Sequence, residues 1–345
     1  MDDINLFKAQ SIMIKKKEKI EKKAGDTLAA TIKEIRAKFG EDAIMMLNEK
    51  SNVDVDAIST GSIGLNRALG VGGMPRGRVV EIYGTESSGK TTLSLHIIAE
   101  AQKKGGICAF IDAEHAMDPQ YAKKIGVSTN TLLISQPSSG EEALNIAESL
   151  IRSKKIDTIV IDSVAALTPR VEIEGDIGSL QIGAQARLMS QALRILTSAI
   201  AKSKTLVVFI NQTRVNIGGY GDPTTTAGGK ALKFYASVRV EVKRIATIKK
   251  GDEAVGSRIR AKVVKNKVAA PFKVTEFDII YNEGISKEGE LLVLGEKYEV
   301  LKKTGLSYEF NGTRFGRGYD SAREYLRENS GVAELIEEEI NKKEI

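Results

Sequence analysis

Cysteine and histidine are nearly absent: the 345-residue sequence holds one of the first and two of the second. A lone Cys108 excludes an internal disulfide, and its place in the apolar run "ICAFID" suits a buried small hydrophobe. His96 and His115 have no metal-ligand companions and no C-x-x-C module beside them, so both read as ordinary polar positions. No apolar run approaches the roughly 18 residues that a membrane span needs. The opening "MDDINLFKAQ" also lacks the basic-then-apolar layout of an export signal. No membrane partner is therefore expected, and a cytoplasmic location is. Internal repeats and low-complexity linkers are missing too.

What is present is an ordinary globular composition, long enough for one large domain with one or two small ones. The net charge of +6 and a pI near 9.1 suit a polyanionic partner without requiring one. Charge is unevenly placed. "KKKEKIEKK", residues 15 to 23, carries six lysines against two glutamates, whereas "ELIEEEINKKEI" closes the chain acidic. The lysine run reads either as a solvated arm or as a contact for nucleic acid or another subunit.

Leu28, Ile32, Ile35 and Phe39 fall on one helical face that the core or a neighbouring subunit must cover. From residue 79 onward, apolar strand-like runs alternate with helix-period stretches: "VVEIY", "ICAFIDA", "TLLISQ", "TIVIDS" and "TLVVFI". Ser139 and Glu142 form a capping box at the head of one helix, and another runs through Leu188, Ala192, Ile195 and Ala199. Continuous apolar strands between amphipathic helices imply a parallel sheet covered on both faces. "SVRVEVKRI", "SRIRAKVVKNKV" and "TEFDIIY" instead alternate, which predicts half-buried antiparallel strands extending that sheet. The expected domains are residues 1–51, a basic arm and helix for subunit contact; 52–285, the α/β core; and 286–345, a small α+β domain.

"GTESSGKT", Gly84 to Thr91, matches the phosphate-loop pattern G-x-x-x-x-G-K-S/T between a strand and a helix. Gly84, Thr85, Glu86, Ser87, Ser88, Gly89, Lys90, Thr91 and Thr92 are expected to hold a nucleotide, with backbone N–H groups and the helix N-terminus facing its phosphates. Lys90 would reach the β- and γ-phosphates and Thr91 would hold Mg²⁺. Asp162 ends a buried strand, where ligands meet parallel sheets, and is the expected metal carboxylate. Asp112 and Glu114 end another strand. Spacing does not decide which of these two serves the attacking water.

The motifs "GTESSGKTTL", "FIDAEHAMDPQYA", "VIDSVAALTPRVEIEGDIG", "FINQTR", "ALKFYASVR" and "KVVKNKVAAPF" stand in an order that closely resembles the bacterial RecA family of homologous-recombination ATPases. The resemblance runs from about residue 27 through the C-terminal domain. It implies a RecA-like P-loop NTPase core, ATP and Mg²⁺, and a helical filament of the chain with itself on single-stranded DNA. Exchange with double-stranded DNA and stimulated self-cleavage of a LexA-type repressor are implied as well. Glu114 resembles the family's catalytic carboxylate, Asp118 and Tyr121 its adenine-holding residues, and Gln212 its γ-phosphate sensor. Lys265 and Lys267, on one face of a strand, resemble lysines reaching the neighbouring subunit's γ-phosphate. Tyr281 resembles a tyrosine packing on that neighbour's adenine, and Phe234 an interface residue coupling protomers. A hexameric helicase is disfavoured because these lysines match recombinases.

The resemblance also gives "NQTRVNIGGYGDPTTTAGGK", residues 211–230, a role that its glycines and threonines alone only suggest. It implies a DNA loop over 212–230 that starts at Gln212, with Arg214, Tyr220, Thr226, Gly228 and Gly229 facing the strand. A first DNA loop over 174–183 would precede Arg187 and Arg194. The long connection over 211–230 is expected to lack secondary structure of its own. Tyr220 stands where phenylalanine is commoner, and Lys230 replaces a usual asparagine. The acidic close is shorter than many members' tails, so weaker restraint on DNA access is expected.

Overall fold

The structure, a computed structural model, describes residues 27–44, 46, 55–176, 181–215 and 224–343. It forms two compact units, Met1–Asp54 and Val55–Ile345. The lysine run lies outside the described residues. In the first unit, helix α1 spans residues 27–39. Of its predicted apolar face Leu28 is 56% and Phe39 68% exposed while Ile32 and Ile35 are half-buried, and Leu28, Ile32, Ile44 and Met46 line a groove of about 700 Å³.

The second unit starts with strand β1 (Ala57–Ile58), helix α2 (Ile63–Leu69) and strand β2 (Met74–Pro75), which pairs antiparallel with β1. There follow β3 (Val79–Gly84), α3 (Lys90–Lys103), β4 (Cys108–Asp112), α4 (Pro119–Ile125), β5 (Leu133–Ser135), α5 (Gly140–Arg152) and β6 (Thr158–Asp162). Then come α6 (Arg170–Ile173), α7 (Ala184–Ser203), β7 (Leu206–Val215), β8 (Thr224–Thr226) and α8 (Ala231–Tyr235). Strands β9 (Val238–Lys250), β10 (Glu253–Asn266), β11 (Val274–Ile280) and β12 (Gly284–Ile285) complete a sheet ordered β12-β11-β10-β9-β3-β7-β6-β4-β5.

The two-residue period of a strand divides the core between the sheet's faces. Val80, Ile82, Phe110, Val160, Val208 and Ile210 pack with Leu93, Leu95, Ile97 and Ile98 of α3. Val79, Ala109, Ile111, Ile159, Ile161, Val207 and Phe209 pack with α5 and α7 on the other side. Both faces are covered, and that is why these strands read as apolar runs. Cys108 is fully buried.

Three expectations need correction. β9 alternates as predicted, but it runs parallel to β3, with Val80 opposite Val238 and Ile82 opposite Val240. The long connection after β7 returns the chain in the same direction, and along the sheet order from β3 towards β12 antiparallel pairing begins only at the β9–β10 hairpin. The cap of α5 is not a full box. Ser139 Oγ accepts the Glu142 N–H at 3.2 Å, but the Glu142 carboxylate takes the N–H of Ser138, at 2.8 Å. Finally, His96 is no ordinary polar position: its Nε2 accepts the Ile285 N–H at 2.8 Å, and burial pushes its pKa down to about 4.

The chain ends in α9 (Lys287–Lys297), the antiparallel strands β13 (Lys302–Thr304), β14 (Ser307–Phe310) and β15 (Thr313–Arg317), and helices α10 (Tyr319–Glu328) and α11 (Ser330–Lys342). They enclose their own core of Leu291, Leu292, Leu301, Tyr308, Phe310, Phe315, Leu326, Ile336 and Ile340. Glu290 joins this core to α2. It accepts the Ser62 hydroxyl at 2.7 Å and the N–H groups of Ile63 and Gly64, each at 3.1 Å. Burial still pushes its pKa up to about 7.

Candidate functional site

The phosphate-loop residues lie between the end of β3 and the start of α3. Gly84 is hemmed between β7 and β9, where a Cβ would stand 2.0 Å from the Val242 carbonyl oxygen. Any side chain there would push the loop off the sheet. Lys90 opens α3 and is only 8% exposed. Its ammonium folds back onto the loop, donating to the Thr85 carbonyl at 2.7 Å and the Gly84 carbonyl at 3.4 Å. Burial lowers its pKa, opposed by Asp162, Glu114 and Glu86. The Ser88 hydroxyl is buried with no partner among the described residues. Thr92 Oγ1 lies 2.9 Å from the Tyr121 hydroxyl on α4, the helix that Asp118 caps through the Gln120 N–H at 2.8 Å.

Three strand ends face this loop. β6 brings Asp162, whose Oδ2 accepts the Thr91 hydroxyl at 2.7 Å. Burial pushes the Asp162 carboxyl up to about 6, with the Thr91 bond pulling against it and Glu114 adding to the rise. β4 brings the two acids that spacing left undecided, and their surroundings differ. Asp112 is 2% exposed and saturated: it accepts the N–H groups of Ala116 and Met117 at 3.2 Å each and the Gln136 amide at 3.0 Å. Glu114 is exposed. Its Oε1 accepts the Ser163 hydroxyl and, at 3.1 Å, the Gln212 side-chain amide from β7. The Ala113 and Glu114 N–H groups donate to the Asp162 carbonyl at 2.8 and 3.2 Å, which fixes the turn carrying Glu114.

The segment after β7 is not wholly irregular, contrary to expectation. β-branched residues pair its two ends as a short ribbon, Thr213 opposite Thr226 and Val215 opposite Thr224. Tyr220 and the Arg214 side chain lie outside the described residues, as do residues 177–180 of the first loop. Thr226 is buried, and its hydroxyl has no partner among the described residues. Arg187 donates to the Ile182 carbonyl at 3.0 Å, and Arg194 is exposed farther along α7.

Lys265, Lys267, Phe234 and Tyr281 sit elsewhere. Lys265 donates to the carbonyls of Lys233 and Phe234 at 2.7 and 3.0 Å, closing the end of α8. Burial lowers its pKa, and Lys267 and Arg239 lower it further. Phe234 is 71% exposed; the Tyr281 hydroxyl lies 3.3 Å from that of Ser257. A register shift separates Val263 from Lys265, and β10 ends at Asn266, so Lys267 stands just beyond the regular strand.

A buried polar row across the sheet was missed. Fully buried Asn211 donates to Glu81 at 2.9 Å and to the Ala227 carbonyl at 3.1 Å, while its own oxygen accepts the Gln212 N–H at 2.9 Å. Glu81, also fully buried, pairs with Arg239, whose guanidinium lies 4.5 Å from the Tyr83 ring centre. The signal was Glu81, a charge inside the apolar run "VVEIY"; its partner Arg239 is one of several charges in the alternating "SVRVEV" and carried none. A buried ion must find a partner, yet sequence does not say where. Ser163, which holds Glu114, had no such signal.

Comparison with known proteins matches the RecA N-terminal domain to residues 26–286 and the RecA C-terminal domain to residues 289–344. The chain is 58% identical to Protein RecA of Rhodospirillum rubrum over 315 residues, covering 91% of this chain and 86% of that one. It is 59% identical to Protein RecA of Delftia acidovorans over 315 residues, with 91% and 86% covered. With Protein RecA of Rickettsia prowazekii it shares 56% identity over 317 residues, 92% of this chain and 93% of the other.

Proposed function

The chain belongs to the RecA family and is a DNA-dependent ATPase of recombination, repair and the SOS response that assembles on DNA as a filament, and on that premise we propose how its residues divide the work. The nucleotide is ATP, held by Gly84 to Thr92. The buried Ser88 hydroxyl, without a partner among the described residues, fits a phosphate cradle, and Gly84 lets the loop leave β3 hard against β9. Thr91 and Asp162 are hard oxygen donors already side by side, and Mg²⁺ favours few carboxylates supplemented by phosphate and water. They fit that ion, which on binding would neutralise phosphate charge.

Lys90 offsets negative charge as the phosphoryl group transfers. Glu114 takes a proton from the attacking water, and Gln212 reports the γ-phosphate to the loop that follows it. Asp118 and Tyr121 hold the base. Lys265 and Lys267 act on the neighbouring protomer's nucleotide, with Tyr281 on its adenine and Phe234 at the seam. Charge supplied in trans makes the site complete only between protomers, so ATP favours assembly. Residues 1–51 serve polymerisation, 52–285 the chemistry and 286–345 a separate C-terminal domain. Arg187, Arg194, Arg214, Tyr220, Thr226, Gly228 and Gly229 face single-stranded DNA, with duplex DNA as the exchange partner. A LexA-type repressor binds the assembled filament, in the cytoplasm where that DNA lies.

One observation carries this reading: the hydrogen bond from Gln212 to Glu114, joining the root of the loop to the carboxylate beside the phosphate loop. ATP turnover should rise on adding single-stranded DNA. A rate indifferent to DNA, in protein that binds ATP, would refute the assignment of the loop. Glu114→Gln separates enzyme from scaffold, because repressor cleavage should survive in it while turnover does not.

A further inference from the structure

We propose that Gln185 is a positioning residue that couples the second DNA loop to the strand end bearing Asp162 and Ser163. The inference rests on reading residues 212–230 as a DNA-binding loop. Gln185 is the second residue of α7, the helix that follows the first loop. Its Oε1 accepts the Gly228 N–H at 3.1 Å. Its Nε2 donates to the carbonyls of Val164 at 2.8 Å and Leu167 at 3.2 Å, with that of Ala165 at 3.5 Å. Val164 directly follows Ser163, whose hydroxyl holds Glu114. Gly228 directly follows Ala227, whose carbonyl is held by Asn211 beside Gln212.

One planar amide thus ties three segments: the helix after the first loop, the root of the second loop, and the turn after β6. Only an amide offers an acceptor and two donors in one small group. The packing is independently tight. Gly228 has a left-handed backbone (φ 76°), and a Cβ there would stand 2.7 Å from Val164 Cγ1 and 3.3 Å from Met189 Cγ. At Gly229 a Cβ would stand 2.8 Å from that of Ala186. A shift of Gly228 towards these neighbours therefore presses on Val164 and on Met189 of α7 at once. The Thr226 hydroxyl two residues earlier is buried and has no partner among the described residues, so the root is not fully satisfied where it stands.

The test is Gln185→Met, which keeps length and removes the hydrogen bonds, compared with the parent chain in two measurements. Affinity for a fluorescent ATP analogue without DNA should stay within about twofold, because Gln185 touches no residue of the phosphate loop. Maximal turnover at saturating single-stranded DNA should fall about tenfold, the scale of losing such bonds. Gln185→Glu, which faces the Val164 and Leu167 carbonyls with an acceptor, should do no better. Full DNA stimulation in Gln185→Met overturns the inference, and so does an equal loss of ATP-analogue binding. Should the variant fold poorly, hydrogen exchange in the parent chain decides. The Gly228 amide should exchange slowly alone and faster with DNA and a non-hydrolysable analogue, and fast exchange without DNA overturns the proposal. A parent chain whose turnover ignores DNA instead refutes the loop assignment, a result that the control reads separately.

Discussion

The two halves of the central sheet are built on different principles. In the parallel half, β5, β4, β6, β7 and β3 all point one way, so their carboxyl ends converge. Glu114, Asp162, Gln212 and Gly84 arrive at one edge by direction alone. In the antiparallel half, β9 to β12 alternate in direction and send side chains to both edges. Lys265 on β10 accordingly bonds to the carbonyls of Lys233 and Phe234, the Tyr281 hydroxyl just past β11 lies beside that of Ser257, and Phe234, on α8 ahead of β9, is exposed. The first geometry builds a site within one chain, and the second suits groups offered to another.

The sharpest break in this comparison is expected from the parallel half. Lys90→Ala should reduce ATP turnover to background and abolish ATP-dependent DNA binding; near-normal hydrolysis would overturn the nucleotide site. Next comes Glu114→Gln, expected to cost about 10²–10⁴-fold in turnover while ATP still binds, which nucleotide binding beside single-turnover assays would check. In the antiparallel half, Lys265→Ala should cost about 10²-fold, the scale of one transition-state donor. That loss should be seen only in filaments. ATP affinity of the dilute protomer should not change, and a matching loss there would place Lys265 in its own chain's site. Smaller again, Tyr220→Ala should weaken single-strand binding by about 1–3 kcal/mol if the ring stacks on bases. Unchanged affinity in a titration would make it a spectator.

The parallel half was the more legible in sequence, and for a physical reason. Strands β3, β4, β6 and β7 are covered on both faces and read as apolar runs, broken in β3 by Glu81, and the phosphate loop is contiguous. The edge strand β5 reads as apolar too, yet leaves Leu133 and Ile134 exposed. What stayed hidden depends on neighbours far along the chain. Asp112 and Glu114 are two residues apart, and only the turn held by Ala116, Met117 and Gln136 makes one structural and leaves the other facing Gln212. The row Asn211–Glu81–Arg239 crosses three strands that sequence had placed in no order. The direction of β9 was hidden for the same reason, since alternation fixes which face is buried and not which way the strand runs.

Buried carboxylates give the finest test of the contrast. Asp162 and Glu290 are both pushed up by burial, to about 6 and about 7, but they sit in opposite halves and face different groups. Asp162 faces Thr91 at the phosphate loop. Glu290, on α9 beside the antiparallel strands, faces the Ser62 hydroxyl, two N–H groups of α2 and the charge of Asp278. Its folded pKa lies above the usual 4.5, so the folded state binds the proton more tightly than the unfolded chain does. The stabilisation is complete at low pH and is lost as pH rises through about 7. The thermal midpoint should therefore fall by a few degrees, at most about 3 kcal/mol in stability, between roughly pH 5 and pH 8. Glu290→Gln holds the side chain neutral and should flatten that decline while leaving DNA-stimulated turnover within about twofold, because Glu290 bonds only to the start of α2. Parallel melting curves for variant and parent would show that Glu290 is ionised throughout. A loss of turnover would show that the antiparallel flank shares in the chemistry after all.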